Sequence, residues 1–353
     1  MLGVSLSVAL CTHNGARFIE EQLRSIFDQT IPPNQLVISD DASSDDTVSL
    51  SKAVVARYAA LPSHAPVEVI IRQNASPLGV VRNFESAILA TSGDLVALSD
   101  QDDVWRLDRL ARSLQKFESR PDLDLVFANA RLVDSAGECL GRTLFEVLEI
   151  GAAEQATLHS GDALSLFIRR NFATGATMMF RRRLLDTSMP FPSHWVHDEW
   201  LAIMAAATSR IDLIDEPLID YRQHGSNVIG VDFPTFRRKV KRVLEPRAGR
   251  NERISRQFEQ FAEHLESLTG SISAEVLSLA RAKARFEADR ERLPTARLRR
   301  LAPILAANRH GWYAKFASQG RLDMVRDLLQ PHGKYRVPLI DDSDRSSIES
   351  RRD

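Results

Sequence analysis

The sequence predicts an α/β protein, a mainly parallel sheet flanked by helices, with a helical C-terminal extension. Two observations predict it. Through about residue 125, short apolar runs alternate with segments whose apolar residues recur at helical spacing, and acidic residues gather where the apolar runs end. Repeats of this kind build sheets covered on both faces, which take ligands outside the carboxyl ends of their strands.

Leu6 to Cys11 reads as a buried strand. The turn Thr12-His13-Asn14-Gly15 then leads into a helix with Phe18, Leu23, Ile26 and Phe27 on one side. Pro32 and Pro33 end that helix, Leu36 to Ser39 forms a second strand, and Asp40 and Asp41 stand at its carboxyl end. A helix over 47–58, a strand over 67–72 and a helix carrying Val81, Phe84 and Ile88 continue the rhythm. The strand Leu95 to Leu98 delivers Ser99, Asp100, Asp102 and Asp103 to its end, and Leu107, Leu110, Leu114 and Phe117 mark the helix behind it. After a strand over 125–129 the rhythm changes to an α+β lobe expected to close over the sheet. That lobe comprises a Gly137 turn, a polar stretch over 151–160, a helix-like run over 164–170, a strand over 177–180, a helix from His197 through Ala207, and a Pro-broken pair of edge strands over 211–221.

With 353 residues, 44% hydrophobic and 26% charged, the chain is long enough for one large domain and an appendage. A formal net charge of -1 provides no field to gather nucleic acid, and no nucleic-acid partner is expected. Two cysteines, Cys11 and Cys139, make neither a disulfide framework nor metal-ligand spacing, which points to a reducing compartment. No apolar run approaches the ~18 residues that span a bilayer, and the N-terminus lacks the basic start of a signal peptide. A cytoplasmic protein is therefore expected, acting in solution or at the inner face of the membrane.

The acidic clusters carry the chemistry. A carboxylate at the end of an inner strand, Asp41, can accept the N3–H of uracil or thymine, whereas cytosine would mismatch it. Asp40 and Asp41 can equally cap the next helix and form Asx turns with Ser43 to Asp46. In Asp100-Gln101-Asp102-Asp103, spacing of i and i+2 on an extended segment turns Asp100 and Asp102 toward one crevice, while Asp103 is placed as the cap of the following helix. Departure of a nucleoside diphosphate from a sugar leaves a dianion, which a hard divalent cation held by one or two carboxylates stabilises. Mg²⁺ or Mn²⁺ is the expected cofactor.

Three stretches, VALCTHNG (8–15), ISDDASSDDT (38–47) and LSDQDDVWRLDRL (98–110), together resemble the nucleotide-binding half of family 2 glycosyltransferases, which have the GT-A fold and invert the anomeric centre. The resemblance covers about residues 4–228. It implies that Thr12, Asn14, Asp41 and Asp100 contact the nucleotide sugar, that Asp100 lies at the ribose or the metal, and that Asp102 is the metal ligand of the family's DxD motif. The form Asp-Gln-Asp-Asp-Val-Trp, with YRQHGSN at 221–227, is similar to bacterial rhamnosyltransferases of surface-polysaccharide assembly. An acidic pair opening a helix in the second half supplies the family's general base. Here His197-Asp198 stands in that place, so Asp198 is the expected base and Glu199 the alternative if the register is off by one. The bare residues read equally as acids favoured in a first helical turn.

Similarity to the family's diphosphate-contacting segment points to His224 as a third metal ligand or diphosphate donor, against the reading of a solvated loop histidine. Gly175 is expected to let backbone approach donor or acceptor closely, or to be a turn glycine. Trp195 and Trp200 are read either as a stacking surface for an acceptor sugar or as core. The implied organisation is a GT-A nucleotide-sugar-binding and catalytic domain over 1–230, a helical extension over 231–340 and a disordered tail over 341–353. Within the extension, residues 234–245 form a basic amphipathic helix, which either lies on an anionic membrane or packs on the catalytic domain with its charges in water. The function implied is an inverting transfer from a UDP- or dTDP-sugar, dTDP-rhamnose included, to a hydroxyl of a glycan or lipid-linked glycan. Two other classes stand beside it. An inactive nucleotide-sugar-binding module is opposed by the intact acidic clusters. A nucleotidyltransferase is opposed by the single Gly and absent Lys of residues 8–15.

Overall fold

The computed structural model describes residues 3–208, 210–224, 248–268, 270 and 272–331. Among these, nine strands form one sheet: β1 (Leu6–Thr12), β2 (Gln35–Asp40), β3 (Glu68–Gln73), β4 (Leu95–Ser99), β5 (Val104–Trp105), β6 (Leu123–Val133), β7 (Cys139–Thr143), β8 (Met178–Arg181) and β9 (Arg210–Arg222). Their order is β3-β2-β1-β4-β8-β6-β9-β5, with β7 paired to β6. β1 to β4 pair in parallel, β8 runs antiparallel to both β4 and β6, and β9 runs parallel to β6.

Helices α1 (Ile19–Phe27), α2 (Thr47–Ala59), α3 (Val80–Ala90) and α4 (Arg109–Ser119) follow the parallel strands. Every residue of β1 is buried, as a strand covered on both faces requires. Leu6, Val8 and Leu10 pack with Ile19, Leu23 and Ile26 of α1, while Ala9 and Cys11 pack on the other face with Phe84, Ala87 and Ile88 of α3. This period-two division lets one short run support two helical layers.

The second half departs from the expectation of an α+β lobe closing over the sheet. β6, β8 and β9 extend the same sheet, because β8 inserts beside β4 and carries the hydrogen-bonded ladder onward. Residues 210–222 form one continuous strand and not several; β5 pairs with it only at Ile219 and Asp220, so over 210–217 it is paired to β6 alone, and Pro217 falls opposite Asn129, where the register shifts and a missing N–H is tolerated. The polar stretch over 151–160 contains a helix, α6 (Ala152–His159), between the short helices α5 (Leu144–Val147) and α7 (Ala163–Phe167). Asp103 is not the cap of α4: the N-cap is Asp108, and Leu107 precedes the helix and is exposed.

After α8 (Leu185–Ser188) and α9 (His197–Thr208) the described chain resumes with α10 (Ala248–Ser267) and α11 (Ala274–Glu291), then α12 (Leu301–Arg309), α13 (Trp312–Phe316) and α14 (Leu322–Leu329). Phe258 and Phe261 of α10 and Phe286 of α11 share one core with Trp195 and Trp200. Both tryptophans are therefore core and not a sugar-stacking surface: Trp195 donates its Nε1–H to the Gln257 carbonyl at 2.9 Å, and Trp200 to that of Ser188 at 2.7 Å. The basic segment 234–245 and the tail 341–353 lie outside the described residues.

Candidate active site

Parallel pairing sets three strand ends level. Leu10 stands opposite Ser99 and Thr12 opposite Asp40, so the loops after β1, β2 and β4 open on one edge of the sheet. Both acidic clusters arrive there because each directly follows an apolar run.

Thr12 and Asn14 knit the first two loops. The Thr12 hydroxyl donates to Asp40 Oδ1 at 2.8 Å, and the Thr12 carbonyl accepts from Asp41 N at 2.8 Å. Asn14, with φ of 48°, accepts from Ser44 N at 2.9 Å, and its own N–H donates to Ser43 Oγ at 2.8 Å. Asp41 is buried. Its Oδ1 accepts from Asn74 Nδ2 at 2.9 Å and Leu78 N at 2.7 Å, and its Oδ2 accepts from Gly79 N at 2.9 Å, beside the start of α3. Neither helix capping nor a turn within 43–46 occupies Asp41: the turn bond is that of Asp40, which accepts from Ser43 N at 2.9 Å, and the N-cap of α2 is Asp46.

The β4 loop is clamped from two sides. Gln101 accepts from His13 N at 2.8 Å and donates to the His13 carbonyl at 3.0 Å. On the other side Arg222, at the end of β9, donates its Nε–H to the Asp102 carbonyl at 2.7 Å, its backbone N–H to Asp103 Oδ1 at 3.0 Å, and an Nη2–H to Glu21 at 2.6 Å. This clamp carries His224 to Asp102, with Nε2 and Oδ2 2.7 Å apart and the imidazole stacked on Phe18 at 4.9 Å. Two predicted metal ligands thus meet.

The floor of the crevice gathers buried carboxyls whose burial favours the protonated form. Burial pushes Asp100 up to about 7, helped by the charges of Asp102 and then Asp198, while Arg109 opposes the shift. Asp103 is raised well above its ordinary value by burial and by Asp102 and Asp100, and its Oδ2 has no hydrogen-bond partner among the described residues. Beneath them lies Arg109, fully buried, which donates to the carbonyls of Ala176 at 2.7 Å and Leu98 at 3.2 Å and stacks on Trp105 at 3.5 Å. Burial lowers Arg109 to about 9. Tyr221, buried, is raised by desolvation and by Asp100, Asp103, Asp102 and Asp198. Sequence reasoning gave neither residue a role, although Arg109 lies in the stretch 98–110 and Tyr221 opens the stretch 221–227, since Arg109 is locally indistinguishable from neighbours such as Arg112 and the burial of Tyr221 depends on packing. Oxygen and imidazole donors at Asp100, Asp102 and His224 suit a hard divalent cation. Among the described residues, however, no three His, Cys, Asp or Glu side chains converge on a single coordination point.

Asp198 and Glu199 diverge. Asp198 Oδ2 accepts from Gly175 N at 3.0 Å, Oδ1 accepts from Glu199 N at 2.7 Å, and its charge reaches Asp100. The close approach at Gly175 is thus to protein: a Cβ there would lie 3.0 Å from His197 Nε2 and 3.3 Å from Asp198 Cβ. His197 is buried, stacks on Phe84 at 4.0 Å, and is lowered below its ordinary value by burial. Glu199 instead lines a cavity of about 220 Å³ with Arg253, Gln257 and Lys283 of the C-terminal helices. Burial, then Asp198, raises Glu199 to about 7.

A profile of the family described as Glycosyl transferase family 2 matches residues 7–188, just over half of the chain. An uncharacterized glycosyltransferase of Nostoc is 27% identical over 238 residues, covering 64% of this chain and 66% of that protein, just short of two thirds of its length. The dTDP-rhamnosyl transferase RfbG of Shigella flexneri is 25% identical over 243 residues, covering 66% of this chain and 78% of its own. Among solved structures, S. aureus TarS 1-349 in complex with UDP-GlcNAc aligns with a TM-score of 0.52 and 18% identity over 92% of this chain and 90% of that one. The mannosyltransferase PcManGT of Pyrobaculum calidifontis, in complex with GDP-Man and Mn²⁺, aligns with a TM-score of 0.50 and 19% identity over 92% and 85%. At this identity the structural likeness establishes the GT-A fold.

Proposed function

The chain belongs to glycosyl transferase family 2, and we propose that this glycosyltransferase inverts the anomeric centre while moving a sugar from a UDP- or dTDP-linked donor to a hydroxyl of a glycan or lipid-linked glycan. The observation that carries the reading is the meeting, at one sheet edge, of the Asp102–His224 pair with Asp100 and Asp198. The name of the Shigella relative favours dTDP-rhamnose as the donor.

In this reading residues 1–230 are the catalytic unit and 231–340 a helical extension, with the chain acting in the cytoplasm. The nucleotide lies over the loops after β1 and β2, bounded by Thr12 and Asn14. The remaining lone pair of Asp41 Oδ2 is what the base N3–H would meet, the other sites of that carboxylate being filled by Asn74, Leu78 and Gly79. Asp102 and His224, with Asp100 beside them, would hold Mg²⁺ or Mn²⁺. That ion, when bound, supplies positive charge to the departing diphosphate. Asp198 takes the proton of the acceptor hydroxyl on the opposite side of the sugar, held in place by the Gly175 amide, while Glu199 turns toward the C-terminal helices and takes no part.

The test is incubation with UDP- and dTDP-sugars, Mn²⁺ and a glycan acceptor, reading nucleoside diphosphate release and product anomer by NMR. Retention of configuration overturns the direct displacement; release of pyrophosphate overturns glycosyl transfer.

A further inference from the structure

The last described stretch of the chain, residues 292–331, exposes cations and apolar side chains but hides its acids. From Arg292 to Pro331 the only carboxylates are Asp323 and Asp327, both buried. Asp327 accepts from Arg290 Nε at 2.7 Å and from the Tyr313 hydroxyl at 2.8 Å, and Asp323 accepts from Ser318 Oγ and Gln319 N, each at 3.1 Å. In the same stretch Arg297, Arg299, Arg309, Lys315 and Arg321 are exposed.

Apolar exposure concentrates here as well. Six of the twelve large apolar side chains exposed among the described residues are Leu298, Leu301, Leu305, Leu322, Val325 and Leu329, with Leu298 at 82% and Leu322 at 66%. Leu322, Val325 and Leu329 recur at spacings of three and four along α14 and form one stripe; Leu301 and Leu305 recur at four along α12, continued by Leu298 in the 3-10 turn over 297–300 just before it. Arg300, fully buried between them, joins the two: its Nη1 donates to the carbonyls of Asp327 at 3.1 Å, Leu328 at 3.2 Å and Gln330 at 2.7 Å.

Scattered exposed leucines need no explanation, whereas two braced stripes rimmed by cations with every acid turned inward match one chemistry. We propose that the face formed by residues 297–329 docks on an anionic lipid surface, with Leu298, Leu305 and Leu322 entering the headgroup boundary and Arg297, Arg299 and Arg321 meeting lipid phosphates. Apolar insertion and headgroup attraction act together in such contacts. This binding stands apart from the assignment of catalytic residues and needs no donor or acceptor.

The test is sedimentation of the whole chain with vesicles of phosphatidylcholine alone and of phosphatidylcholine mixed with phosphatidylglycerol. The expected result is binding to the mixed vesicles only, weakening as salt rises. R297Q/R299Q/R321Q should weaken partitioning on the order of 100-fold. L298S/L305S/L322S should also release the protein from vesicles, with its circular-dichroism melt unchanged because these side chains are exposed. Absence of binding to mixed vesicles overturns the proposal. So does binding that both triple variants retain, which would put the lipid contact elsewhere in the chain. Light scattering that finds a dimer which L298S/L305S/L322S dissociates, without any vesicle binding, would assign the face to a second copy and overturn it as well.

Discussion

His224 Nε2 and Asp102 Oδ2 lie 2.7 Å apart across 122 positions of sequence, and Arg222 fastens the β4 loop to the strand that carries the histidine. If the pair holds the divalent cation, Asp102→Asn should lower metal-dependent turnover by orders of magnitude in a protein that stays folded. His224→Ala should raise the Mn²⁺ needed for half-maximal activity by at least ~10-fold. Mn²⁺ titrations of turnover decide this, and wild-type curves for both variants would remove the pair from the metal site.

Asp198 should separate chemistry from binding. Asp198→Asn is expected to cut kcat by roughly 10²–10⁴-fold, with donor affinity by calorimetry barely moved. Glu199→Gln should keep the single-turnover rate, since Glu199 lines the cavity shared with Arg253 and Gln257. A dead but donor-binding Glu199→Gln beside an active Asp198→Asn would exchange their roles.

The burial of Glu199 also predicts a pH-dependent stability. Its folded value of about 7 lies above its ordinary 4.5, so the folded chain keeps a proton that the unfolded chain gives up. The stability from this group is therefore complete below about pH 4.5 and is lost as pH rises through about 7. Glu199→Gln removes the loss, and its advantage over wild type in denaturant unfolding should grow by ~2–3 kcal/mol between about pH 5 and pH 8. An advantage that does not change with pH would mean a carboxyl in contact with solvent.

Asp41 has a structural task as well as a proposed nucleotide contact. Asp41→Ala leaves the amides of Leu78 and Gly79 without their acceptor, which should cost about 1–3 kcal/mol in chemical unfolding. It should also weaken UDP or dTDP binding, by roughly 1.5–3 kcal/mol if the charged acceptor meets the base. A destabilised variant that binds nucleotide like wild type would leave only the structural task.

The four parallel strands were legible within a residue or two because each is a short apolar run bounded by turn residues, a pattern that burial on both faces imposes on β1, β2 and β4, whereas β3 is a half-exposed edge. The insertion of β8 beside β4 was not, since antiparallel pairing of Val96 with Phe180 is a long-range choice that periodicity does not record. At β9 the proline did mark an edge, since only β6 pairs with it over 210–217, but the continuity of one strand through Pro217 rests on a register shift that the sequence does not record. At the site, Asp100, Asp102 and Asp198 were readable as acids at element ends. The burial of Asp103, the arginine beneath it and the divergence of Asp198 from Glu199 depend on which elements pack together.

The sheet order also governs how the chain emerges from the ribosome. β4 (Leu-Val-Ala-Leu-Ser) pairs with β1 on one side as soon as it is made, but its other neighbour, β8, begins only at Met178. Throughout the synthesis of the intervening residues the nascent chain carries an uncharged, mostly apolar open edge, the kind that recruits strands from other chains. Slower translation across that interval lengthens the exposure, and a chain cut short before Met178 keeps the edge open permanently.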